Sequence, residues 1–131
     1  LQSMGLLLQN SKMRYVMCHT DLHGWNLIQS KNLILIDWEG LKLAPVEADL
    51  FSFTGTFFFD YAWEDFMSIY QTTHKDYQIN VEAMRFYRLR RRLEDIHEFV
   101  ESILFDKLTQ DDMNQSLRYL KQECELLHVM C

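Results

Sequence analysis

Asp21, Asn26 and Asp37 carry the side chains in this sequence best suited to chemistry. The first two lie in His19-Thr20-Asp21-Leu22-His23-Gly24-Trp25-Asn26, a polar and permissive run held between apolar segments. The third closes the aliphatic stretch Leu33-Ile34-Leu35-Ile36 and is followed by Trp38-Glu39. A carboxylate at the end of such a stretch sits where a buried strand emerges at a rim, and rigid ends of this kind often hold functional groups. Together the three residues supply one base and two hard oxygen ligands. Mg²⁺ bridging phosphate oxygens takes such a set, with water or phosphate completing its shell. Each residue also has an ordinary reading: a turn residue for Asn26 and Asp37, and a satisfied buried histidine for His19. A different chemistry is open as well. His19, Asp21 and His23 alternate, and on an extended strand they would share a face able to bind Zn²⁺ or another transition metal, although Gly24 and Asn26 favour a loop there.

Short apolar runs must position these groups. Residues 15–18, 27–29 and 33–36 read as strands, with Ser30-Lys31-Asn32 a tight connection that makes the last two a hairpin. Leu43-Ala44-Pro45 reads as a loop, because Pro45 disfavours helix at the residue before it. From about residue 58 the apolar period becomes helical. A helix over 60 to about 71 carries Tyr61, Phe66, Ile69 and Tyr70, with Asp60 as its N-cap. Asn80 caps a long helix through Val81, Met84, Tyr87, Leu93, Ile96, Val100 and Ile103, and Thr109 with Asp112 opens a last one through Leu117, Leu120, Cys124 and Leu127. The fold class is α+β and mostly helical.

At 131 residues the chain has the size of one domain. A net charge of −6 argues against nucleic acid as a partner, since that needs a basic face. The dense basic run Arg90-Arg91-Arg92 would point to different sides of a helix. No apolar stretch approaches the roughly 18–20 residues of a membrane span, and no secretory signal opens the chain. Three widely spaced cysteines suit a reducing, cytoplasmic setting. Leu1 rather than Met stands first, so the chain reads as a piece of something longer.

The run from His19 to Asn26, followed by Ile36-Asp37-Trp38-Glu39, resembles the catalytic segment of the aminoglycoside phosphotransferase and choline kinase group. Within that group the sequence resembles the spectinomycin phosphotransferase branch, through Leu43-Ala44-Pro45-Val46-Glu47-Ala48-Asp49-Leu50 and the Gly24-Trp25-Asn26 ending. The resemblance implies a protein-kinase-like fold, of which this chain would be the C-terminal lobe: catalytic loop 18–27, metal hairpin 27–39 and helical part 58–131. Asp21 would be the catalytic base, and His19 would open the motif and brace the loop. Asn26 and Asp37 would hold Mg²⁺ and, through it, the phosphates of ATP or another nucleoside triphosphate. Asp49 would anchor the loop rather than touch substrate.

The sequence also departs from the group. Thr20 stands where many members have Gly, and Glu39 where some have Asp. Such a fold also needs an upstream strand-rich lobe with a loop over the phosphates and a lysine on a strand. With glycines only at 5, 24, 40 and 55, no glycine-rich phosphate loop can be written, and Lys12 lies too close to the motif to be that lysine.

The expectation is therefore a kinase lobe that transfers the γ-phosphoryl of ATP to a hydroxyl of a cationic, amine-bearing small molecule such as an aminoglycoside. It would depend on a missing N-terminal lobe, be inactive alone and be prone to self-association around Leu6-Leu7-Leu8 and the hairpin. A noncatalytic kinase-like interaction module and a His/Asp metal-binding protein are the alternatives. Trp25, Trp38, Trp63 and Phe57-Phe58-Phe59 are expected in the core, Cys18 as a buried thiol, and Arg88 to Arg92 with Glu94, Asp95 and Glu98 as a solvated, ion-paired helix face.

Overall fold

The computed structural model describes Gly5, Leu8 and residues 12–54 and 63–130, and the elements bounded within these stretches are four short strands and four α-helices. The expected N-cap Asp60, Tyr61, the aromatic run 57–59, Leu6 and Leu7 lie outside the described residues. The strands are β1 (Tyr15–Cys18), β2 (Leu27–Gln29), β3 (Leu33–Leu35) and β4 (Lys42–Pro45). The helices are α1 (Glu47–Leu50), α2 (Trp63–Thr73), α3 (Val81–Phe105) and α4 (Gln110–Met130). Three 3₁₀ turns, Gly24–Asn26, Trp38–Gly40 and Phe51–Phe53, complete the set.

β2 and β3 form the expected antiparallel hairpin, with Ile28 opposite Ile34 and the turn closed by Ser30 N–H donating to Asn32 O. β1 pairs instead with β4, Tyr15 opposite Pro45 and Cys18 opposite Lys42. This corrects the loop expected over residues 43–45. The proline effect that excludes helix at Ala44 pushes it toward extended backbone, and Pro45 closes a two-stranded ladder, where a missing N–H is tolerated. Val46 N–H then donates to Arg14 O and extends the ladder by one rung. Helix also begins earlier than residue 58, since α1 and the turn after it follow β4 directly.

The described residues fall into two compact units, one within residues 2–87 and one over 88–131. In the first, β1 turns Val16 and Cys18 inward onto Ala44 and Ala48, with Tyr87 against them. A neighbouring cluster joins Leu50, Phe51 and Met84 with Trp63, Phe66 and Tyr70. Phe53 stacks on Phe66 with ring centroids 4.4 Å apart. Trp63 is thus in the core as expected. Trp25 and Trp38 are not: they are 78% and 50% exposed, because each rides on a 3₁₀ turn at the edge of a strand.

The start of α3 is held by Asn80, whose Oδ1 accepts from Ala83 N at 3.1 Å. In the second unit, Thr109 caps α4 by accepting from Asp112 N and donating to the Asp112 carboxylate. Arg90–Glu94 and Arg91–Asp95 are the short-range pairs expected on α3. Arg92 departs from that picture and reaches Glu123 on α4 at 2.6 Å, both side chains being largely buried. Arg88 is partly buried too, and burial followed by the charge of Arg92 pulls its pKa below the ordinary arginine value. Among the described residues no helix is long and apolar enough to cross a membrane.

Candidate active site

β1 delivers the chain to the polar loop at Cys18, whose thiol is fully buried and donates to the carbonyls of Ala44 and Pro45. Burial, reinforced by the nearby Asp49 carboxylate, pushes this thiol up to about 12, so it is no nucleophile. His19 follows at 2% exposure. Its Nε2 donates to Ile36 O at 2.8 Å, and its ring meets Trp38 edge-on at 4.9 Å. Nδ1 is buried without a partner. His19 therefore braces the loop against the segment leading to Asp37, and the hydrogen bonds of its ring do not involve Asp21.

Thr20 has φ 69°, a left-handed conformation that a β-branched side chain adopts at a cost of about 1–2 kcal/mol. The same conformation explains why glycine suits this position. Three bonds hold Thr20 there: its N–H donates to Asp49 Oδ1 at 2.7 Å, the adjacent His19 N–H to Asp49 Oδ2 at 2.9 Å, and its hydroxyl to Gly40 O at 3.0 Å. Gly40 is needed at this approach, since a Cβ there would stand 2.9 Å from Thr20 Oγ1 and 3.1 Å from His19 O.

β1 ends at Cys18 and Thr20 reverses the backbone, so 19–23 is no extended strand and its alternation has no common face. The shared His19/Asp21/His23 metal face is thereby corrected: His19 is buried against Ile36 while Asp21 and His23 contact each other at 3.3 Å. Among the described residues no group of three or more His, Cys, Asp or Glu is placed to hold a metal ion.

Asn26 ends the 3₁₀ turn and is 6% exposed. Its Nδ2 donates to Asp21 O at 2.9 Å and to Asp21 Oδ2 at 3.3 Å. With the amide nitrogen so engaged, the side chain's other end, Oδ1, is the hard oxygen available to a cation. Asp37 is brought alongside by the backbone: Ile36 N–H donates to Asn26 O at 2.9 Å, continuing the β2–β3 ladder to the residue before it. Asp37 itself is exposed with φ 64°, a left-handed conformation that aspartate tolerates. Its carboxylate makes no cap hydrogen bond. The loop thus joins Asp21 to Asn26 directly and Asp37 to Asn26 through the ladder. One amide oxygen and one exposed carboxylate fit a cation that takes few protein ligands and completes its shell with water and phosphate.

One participant went unrecognised in the sequence except as a transition-metal ligand. His23 Nδ1 accepts from Trp25 N at 3.2 Å, and Nε2 lies 3.3 Å from both Asp21 Oδ2 and Asn26 Nδ2. The signal was present in the spacing 21, 23, 26, which a tight turn folds onto one point.

The profile of the phosphotransferase enzyme family matches residues 2–88. No curated protein matches the chain significantly. Among solved structures it is similar to spectinomycin phosphotransferase, APH(9)-Ia, in complex with ADP and spectinomycin, at 23% identity and a TM-score of 0.67. The AMP-bound complex of that enzyme gives 23% and 0.65. Both matches cover 92% of this chain but only 38% of the other, so the chain spans well under half the length of the structures it matches. The likeness establishes an α+β, mostly helical, kinase-like fold.

Proposed function

Since the chain belongs to the phosphotransferase enzyme family, we propose that it is the C-terminal lobe of an ATP-dependent small-molecule kinase. Residues 18–27 are its catalytic loop, 27–39 its metal hairpin, and the helices from Trp63 to Met130 its helical part. The observation that carries the reading is the pair of bonds from Asn26 Nδ2 to Asp21, which set a base and a metal-side oxygen on one buried amide. An acceptor hydroxyl passes its proton to Asp21 while its oxygen bonds to the γ-phosphorus. The bond from that phosphorus to the β,γ-bridging oxygen breaks, and ADP leaves. Asn26 Oδ1 and Asp37 would hold Mg²⁺, which when bound would offset the charge of the phosphates. His19 and Asp49 keep the loop in place.

An amine-bearing acceptor is supported by the net charge of −6, which attracts a cation. Glu64 and Asp65 on α2 and Glu98 on α3 are exposed carboxylates, whereas Glu94 and Asp95 are already engaged by arginines. The spectinomycin complex of the similar enzyme supports the same acceptor class. Phosphate cover comes from sequence outside this chain, in keeping with the 38% coverage. The isolated chain is accordingly inert as a kinase. It also exposes Met17, Leu33 and Leu43 by 60% or more, apolar surface that favours self-association.

The test is phosphoryl transfer by the full-length gene product with Mg²⁺–ATP and a panel of amino-sugar and amino-alcohol acceptors. Asp21→Ala should abolish transfer and spare nucleotide binding, whereas Asp37→Ala should lose both. Equal, mild effects at the two positions reject the assignment. Intact nucleotide binding without transfer to any acceptor would instead favour a noncatalytic module.

A further inference from the structure

Resting on that reading, we infer that His23 is a positioning residue that locks the orientation of the Asp21 carboxylate. Two independent contacts define its ring. The backbone N–H of Trp25 donates to Nδ1 at 3.2 Å, which leaves the ring proton on Nε2. That Nε2–H lies 3.3 Å from Asp21 Oδ2, so the tautomer chosen by the turn is the one able to donate to the carboxylate. The Asn26 amide, a donor as well, reaches the same oxygen at 3.3 Å. Its own 3.3 Å separation from His23 Nε2 is then the spacing of two donors converging on Oδ2.

Rotation about Cβ–Cγ of Asp21 would break both contacts at once. Oδ2 is therefore held by two converging groups, one from a residue two positions on and one from a residue five positions on. His23 is also the N-cap of the 3₁₀ turn that carries Asn26. One ring thus fixes the turn through Nδ1 and the carboxylate through Nε2. Its side chain is 20% exposed against 38% for Asp21, which leaves the carboxylate the more open of the two. Carboxylate orientation matters because a base must meet the hydroxyl along a lone pair, and small misplacements of a reacting group cost up to about 100-fold in rate.

Two measurements on the full-length protein test this. Nitrogen-15 shifts of the His23 ring should report a proton on Nε2 and none on Nδ1; an Nδ1–H tautomer overturns the inference whatever the activity. In steady-state transfer with Mg²⁺–ATP and the acceptor panel, spectinomycin among them, His23→Ala should lower kcat by about 10- to 100-fold and leave KM for ATP within about twofold. His23→Gln, which keeps an N–H donor at similar reach, should recover most of the loss, whereas His23→Leu should not. An undiminished kcat in His23→Ala, or a glutamine variant as impaired as the leucine one, rejects the positioning role. A wild-type protein inert toward every acceptor rejects the kinase reading instead, and the ring shifts separate that failure from this one.

Discussion

Asp49 grips the backbone of His19 across a separation of 30 residues, its Oδ2 accepting the His19 N–H at 2.9 Å. Its other oxygen takes the next N–H, that of Thr20, at 2.7 Å. One carboxylate at the end of α1 thus sets the direction in which the polar loop leaves β1. Hydrogen bonds to a charged acceptor are each worth about 1.5–3 kcal/mol. Asp49→Ala should therefore lower stability by about 2–4 kcal/mol in denaturant titration, and Asp49→Asn, which keeps one acceptor oxygen, by less. A change within about 0.5 kcal/mol for the alanine variant would mean that the loop holds its course without this anchor.

A second carboxylate on α1 is buried more deeply. Glu47 is fully buried, its Oε1 accepting from Tyr77 OH at 2.5 Å and Asn80 N at 2.8 Å, while Oε2 has no partner. Burial, followed by the Glu47 carboxylate, pushes the Tyr77 hydroxyl far above the ordinary tyrosine value. Tyr77→Phe removes a donor from a group that cannot reach water and should cost about 1–3 kcal/mol. The double variant with Glu47→Gln should lose less than the sum of the two single changes, as a double-mutant cycle would register.

Stability should also depend on pH through Asp95. Burial pushes its carboxyl from 3.8 up to about 6; Glu98 and Glu123 add to the rise, and Arg91 and Arg92 oppose it. The folded chain then holds a proton that the unfolded chain has already released, so this group's contribution is greatest below about pH 4. It falls as pH rises through about 6, and then levels. The fall should amount to about 1–3 kcal/mol. Urea titrations at pH 4, 5, 6 and 7 should record this slope in the wild type and a flatter one in Asp95→Asn. Identical slopes would remove Asp95 from the account.

Thiol chemistry offers a direct check on the first core cluster. Cys18 is fully buried and Cys124 exposed. Alkylation of the native protein followed by mass spectrometry should modify Cys124 within minutes and leave Cys18 untouched until denaturant is added. Early labelling of Cys18 would mean that β1 and β4 open readily.

Much of this arrangement was legible in the residues. The strands over 15–18 and 27–29, the Ser30–Asn32 turn and the caps at Asn80 and Thr109 follow from local periodicity and side-chain chemistry. A tight turn joins Asp21 to Asn26, and the bond from Ile36 N–H to Asn26 O brings the residue before Asp37 onto the same hairpin. The missed features depend on contacts between distant residues. Pairing of β1 with β4 is set by a register between residues 24 to 30 positions apart, which local pattern does not encode. Burial of Arg92 against Glu123 follows from the packing of α3 on α4, whereas its neighbours in sequence suggested solvent. Trp25 and Trp38 look like core residues by type and are exposed because the turns beneath them are polar.

The contact between Thr20 and Gly40 also constrains the order in which this sequence can change. A side chain at position 40 collides with the Thr20 hydroxyl, and position 20 prefers glycine on backbone grounds alone. Thr20→Gly first would relieve the left-handed strain and clear the nearer of the two obstacles, at the loss of the hydroxyl bond to Gly40 O, leaving alanine at 40 only the 3.1 Å approach to His19 O to meet. The reverse order passes through a clashing intermediate. The two positions are therefore epistatic: what a side chain at 40 must displace depends on the residue at 20.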